Sequence, residues 1–123
     1  MDYAYKRMGS KGFAETIEAV ERSVALHGFS VGQCHDIQGR LQSKGFPIGP
    51  LVIFEIAPVG EETDSAMSLI MPCRIHVYID EGNVIVAALR PTVFAAVFPE
   101  HEIDELAAKV EVTVVKIVDS AVD

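Results

Sequence analysis

Apolar positions along this chain change period several times, and each change marks an element. Phe13, Ile17, Val20 and Val24 recur at intervals of four, three and four, the spacing of one buried helical stripe. Gly28 is placed to end that helix, because glycine takes the left-handed turn after a last helical residue without a Cβ clash. A short first strand is expected before it, near Asp2 to Arg7, and a second after it, from Phe29 to His35. Asp36 can cap a short helix in which Ile37 and Leu41 make the apolar contact and Gly45 is the stop, followed by a turn at GFPIGP. From Leu51 to Ile56 the period drops to two: Val52, Phe54 and Ile56 share one face of a strand, and Leu51, Ile53 and Glu55 share the other.

The clearest segment is LIMPCRIHVYIDEGNVIVAALRP. Asp80 to Asn83 has the chemistry of a tight turn between two strands, and Ile79 faces Val84 whether the loop is counted as two residues or four. That register pairs Val77 with Val86, Ile75 with Ala88 and Cys73 with Arg90 on one face. On the other it pairs Tyr78 with Ile85, His76 with Ala87 and Arg74 with Leu89. The first face is core. The second carries Arg74, His76 and Tyr78 beside Ile85, Ala87 and Leu89, and is more apolar than a sheet face open to water usually is.

Near the C-terminal end EVTVVKIV is β-branched enough for a strand, yet Ile103, Leu106, Val110, Val114, Ile117 and Ala121 hold helical spacing. Glu100, Glu102 and Asp104 crowd the start and Lys109 and Lys116 lie later, the order a helix dipole favours, so a helix is expected. Residues 1–123 therefore read as a single α+β domain, an antiparallel sheet whose apolar face is covered by the two long helices. No linker or repeat divides it, and PVGEETDS, from Pro58 to Ser65, is an acidic surface loop.

Composition narrows the function classes. Half of the 123 residues are hydrophobic and 23% are charged, which excludes disorder and allows one sizeable core. Eighteen acidic against ten basic residues give a net charge of −8, which repels nucleic acid and anionic membrane, so neither is an expected partner. The longest apolar runs, Val84 to Leu89 and Val93 to Phe98, are far shorter than the roughly 20 residues of a membrane helix. MDYAYKRMGSKG has no apolar stretch followed by a small-residue cleavage site, and Cys34 and Cys73 lack CxxC spacing. The expectation is a cytoplasmic protein with reduced thiols.

Several segments together resemble a bacterial and archaeal family, the domain of unknown function 302: a helix ending in HGF (His27 to Phe29), Asp36 opening a short helix, and the stretch from Met71 to Pro91. The last looks like the family's Leu-Pro-Cys strand, turn and strand closing on a proline. The resemblance implies a fold similar to the TATA-binding-protein class, a β-α-β-β-β-α arrangement with helices on one side of an antiparallel sheet, often dimeric. It implies no DNA binding and no agreed activity. This chain departs from the family between Pro58 and Pro72, where relatives usually have more residues, commonly including a helix.

Arg74, His76 and Tyr78 form the best constellation, in a row about 7 Å apart on one strand face. Arginine offers a fork, tyrosine a hydroxyl and histidine a titratable donor, so the row can hold an anion or form part of a subunit contact with Ile85 and Leu89. Such a contact can also supply an acidic partner for His76, such as Glu55. Cys73 shares the core face with Ile75 and Val77, where a thiol is a small hydrophobe with a raised pKa. Its alternative role is sulfur or redox chemistry, partnered by Cys34 if the two strands approach within about 7 Å.

Cys73 and His76 point to opposite faces and cannot share an ion, Cys34 and His35 fail likewise, and His27 and His101 stand alone near helix ends. No metal or cofactor is expected. Phosphate-binding glycine loops, nucleophile elbows and paired carboxylates at helical spacing are missing, so no standard enzyme class is supported. The first hypothesis is a non-enzymatic, self-associating domain, a homodimer, that binds a small molecule or protein partner through the mixed face. A thiol enzyme or sulfur carrier using Cys73 or Cys34 is the alternative, and a metal or haem binder through His76 or His35 comes third.

Overall fold

The elements form in the order β1 (Ala4–Gly9), α1 (Phe13–Leu26), β2 (Phe29–Asp36), α2 (Ile37–Gln42), β3 (Leu51–Pro58), α3 (Met67–Ile70), β4 (Cys73–Asp80), β5 (Asn83–Leu89), α4 (Thr92–Val97) and α5 (Asp104–Val122). The computed structural model describes residues 2–60, 67–98 and 103–123, so His101, Glu100, Glu102 and most of the acidic loop lie outside it. Among the described residues the strands make one five-stranded antiparallel sheet in the order β1-β5-β4-β3-β2. The β-α-β-β-β-α outline is thus filled out by one more strand, since the hairpin contributes two, and by three short helices.

Two of those helices were not legible. α4 spans fewer than two turns, too few for a period to show, and its first turn is held from far along the chain: Glu111 Oε1 accepts from Thr92 N (3.2 Å) and Thr92 Oγ1 (2.6 Å). α3 is a four-residue helix, too short for a period to show.

Local chemistry explains the other boundaries. His27 caps α1 and Gly28 follows at φ 79°, the left-handed position that only glycine takes freely. Asp36 caps α2 by accepting from Gly39 N at 2.9 Å. The hairpin turns on two residues, Glu81 at φ 50° and Gly82 at φ 81°, the pair of left-handed conformations that matches strand twist. Its register is the expected one from Ile79–Val84 to Ile75–Ala88. The ladder stops short of Arg74–Leu89 and Cys73–Arg90, because Arg90 turns its N–H to Tyr3 O (2.8 Å) and its guanidinium to Glu111 (3.1 Å).

α1 and α5 pack on the face bearing Phe54, Ile56, Ile75, Val77 and Val86, all fully buried. From the helices come Val20, Val24, Val114, Ile117 and Val118, and each such side chain contributes about 1.5–3 kcal/mol by leaving water. Phe13 and Ile17 are only partly buried, at the rim of the stripe. The two helices are also tied by Ser23 Oγ donating to Ile117 O (2.7 Å), which satisfies a buried hydroxyl. At the sheet's edge Asp119 of α5 accepts from Tyr5 (2.6 Å) and Arg7 (2.7 Å) of β1.

β2 contains a feature that decides the site. Its register against β3 passes from Val31–Ile56 directly to Gln33–Glu55, leaving Gly32 as an extra, bulged residue. Strict alternation from the buried Phe29 would put His35 on the helix-covered side. The bulge instead turns Gln33 and His35 to the other face and Cys34 toward the row of Phe54.

Candidate functional site: a basic cleft on the open sheet face

Strand pairing lays one row of side chains across all five strands on the face opposite the long helices: Lys6 beside Ala87, Ala87 beside His76, His76 beside Ile53, and Ile53 beside His35. A cleft of about 560 Å³ opens over this row, within the roughly 300–1,000 Å³ of small-molecule sites. The small side chains of Ala4 and Ala87 form its floor, and Lys6, Arg74 and His76 its polar groups. Tyr3 and Tyr78 add aromatic surface. At the far end the chain closes over with Ile70 of α3, Pro72, Pro91 and Phe94 of α4. Among the described residues no acidic side chain lines it, in a chain whose net charge is −8.

His76 is half-buried, and burial, then the Arg74 charge, push its pKa below the ordinary 6.5. It is therefore neutral at pH 7, with one ring nitrogen to donate and one to accept. Arg74 is exposed and extends toward Glu55, 3.7 Å away. The other oxygen of Glu55 accepts from His35 Nε2 at 2.9 Å, and Arg40 Nη2 of α2 donates to His35 Nδ1 at 3.2 Å. Glu55, considered as an acidic partner for His76, is instead engaged within its own chain by His35 and Arg74. The Gly32 bulge creates that chain of contacts by turning His35 to this face.

The remaining candidates fall at one end or the other of the same face. Leu89, 40% exposed, lines the cleft. Ile85 sits nearer the hairpin turn in an apolar row with Met8, Tyr78 and Leu51. Cys73 touches the cleft's inner end but is buried, and burial pushes its thiol up to about 11. Cys34 is exposed, and its thiol is raised by partial burial and by the charges of Glu21 and Asp36. Neither has the cation that would favour a thiolate. Cys34 stands opposite Phe54, itself opposite Ile75, so two strand spacings separate it from β4, roughly 10 Å, beyond the ~7 Å reach of a disulfide. The pairing of the two thiols is thereby ruled out.

His27 Nδ1 donates to Ser23 O at 2.8 Å. Among the described residues no three His, Cys, Asp or Glu side chains are grouped to hold a metal ion.

Lys6, Tyr3, Ile70, Phe94 and Arg40 were not singled out from the sequence, and His35 was considered only as a metal or haem ligand. Most reach the site through long-range pairing that no local period reports. The exception is His35, for which Gly32 inside an otherwise extended run was a readable sign of a bulge.

An antiparallel sheet with two long helices on one face and a cleft on the other defines an α+β domain with an accessible sheet surface. The chain belongs to the domain of unknown function 302 family, which matches residues 5–121. It is similar to an uncharacterized conserved protein of that family from Bacillus stearothermophilus, whose crystal structure superposes with a TM-score of 0.89 at 26% identity, over 98% of this chain and 99% of that one. The chain matches no curated protein. Among the described residues, no helix is long and apolar enough to cross a membrane.

Proposed function

We propose that this chain is a non-enzymatic binding domain that pairs with a second copy through its open sheet face and takes a small ligand in the cleft on that face. The observation that carries the reading is the division of that face into an apolar half and a basic hollow. Met8, Ile85, Tyr78 and Leu51 make a continuous row at the hairpin end, with Met8 61% exposed, the kind of patch that marks a contact surface. A twofold pair is the simplest partner for such a patch. The setting that goes with this reading is the cytoplasm, where Cys34 and Cys73 remain thiols.

Light scattering tests the pairing. Wild-type protein at high micromolar concentration is expected as a dimer, and Ile85→Lys with Leu89→Lys as a monomer with unchanged circular dichroism. A wild-type monomer under those conditions overturns the self-association. The cleft is tested separately, by whether small molecules shift the amide resonances of Ala87 and His76.

A further inference from the structure

We infer that the cleft is built for an amphipathic monocarboxylate, an organic acid with one carboxylate and a compact apolar body; this rests on the small-ligand reading above and specifies its chemistry. Lys6 and Arg74 are the cationic side chains on the cleft wall, and Glu55, 3.7 Å from Arg74, balances one of them. Among the described residues the net is about one positive charge, which a monoanion neutralises and a dianion overfills.

Geometry says where the carboxylate goes. Lys6 and His76 stand on either side of Ala87, two strand spacings or roughly 10 Å apart, with only a methyl group between them. A carboxylate above Ala87 lies between the Lys6 and His76 positions, with the exposed Arg74 on the same cleft wall. A phosphate is less well served: its extra oxygens need more donors, and the sheet's backbone N–H groups beneath are taken up by strand pairing.

The rest of the cleft is apolar. Leu89, Ile70 and Phe94 line the cleft beyond the row of Lys6, Ala87 and His76, so a ligand that puts its carboxylate over Ala87 can lay its body against them. A wholly polar anion leaves that surface wet, and a neutral apolar molecule leaves Lys6 and Arg74 uncompensated.

The test uses three probes with one body: 4-phenylbutyrate, 4-phenylbutan-1-ol and 4-phenylbutyl phosphate, titrated at pH 7 into isotope-labelled full-length protein and followed by amide shifts. The butyrate is expected to bind at least tenfold more tightly than the alcohol and more tightly than the phosphate. Lys6→Gln with Arg74→Gln, both at exposed positions, is expected to bring the butyrate down to the level of the alcohol while leaving the alcohol unchanged. Equal binding of acid and alcohol, or a double variant without effect, overturns the carboxylate assignment and leaves a small-ligand cleft standing. Tighter binding of the phosphate overturns the monoanion. Failure of all three to shift Ala87 or His76 overturns both this inference and the small-ligand reading.

Discussion

The two faces of the sheet are made from alternate residues of the same strands, yet they obey different rules. On the covered face Phe54, Ile75, Val77 and Val86 lose all contact with water, and the partners they meet are helices of their own chain. On the open face the intervening residues, Glu55, Arg74, His76 and Ile85, remain partly or largely accessible and include charges that the protein ties to one another without burying them. One face is finished by folding. The other is left with an apolar row and a basic hollow, surfaces that another molecule can complete.

That contrast can be broken most forcefully by truncation. Phe54→Ala removes a fully buried ring and is expected to cost about 3–5 kcal/mol in denaturant unfolding, whereas Met8→Ala on the open face should stay within about 0.5 kcal/mol. Comparable losses at the two sites would mean the open face is as much a part of the folding core as the covered one. Thiol chemistry sharpens the same point. Cys73 should be alkylated far more slowly than Cys34 in the native protein and at a similar rate in denaturant, because its sulfur is buried and its pKa lies near 11. Fast labelling of native Cys73 would show that the inner end of the cleft opens readily.

The smallest effects are titrations, and they separate by pH window. His76 has its pKa lowered by folding, so the unfolded chain binds the extra proton first: its contribution is present above about 6.5 and is lost as pH falls through the lower folded value. Bound carboxylate should oppose that loss. On the covered side Glu111 is pushed up by burial, but hydrogen bonds from Thr92 and Arg90 outweigh this and hold its carboxyl below the usual range. Its contribution is present above about 4.3 and disappears as pH falls through the folded value. Melting curves of His76→Asn and Glu111→Gln should each lose one of the two acid-side decrements and keep the other. A His76→Asn protein with an unchanged profile near pH 6 would remove His76 from this account.

Much of the covered face was legible because burial leaves a local trace. Alternation on Leu51 to Ile56, the hairpin register and the stripes of α1 and α5 can all be read from neighbours a few positions apart, and α5 forms as a helix despite its β-branched EVTVVKIV. The row Arg74, His76, Tyr78 was legible for the same reason. The cleft was not, since it depends on β1 pairing with β5, which sets Lys6 beside Ala87, and on α3 and α4 closing its end. A six-residue helix between prolines has no period of its own to display.

The bulge at Gly32 has a further consequence at the border of the molecule. β2 is an outer strand, and outer strands present unpaired backbone groups along which a second chain can add, strand upon strand, toward fibrils. A flat, regular border invites such growth. By inserting one unmatched residue midway, Gly32 bends that border and breaks the even spacing that an incoming strand would need. The same glycine that delivers His35 to Glu55 therefore also guards the sheet against endless lateral extension, and deleting it should leave a protein that precipitates along its rim.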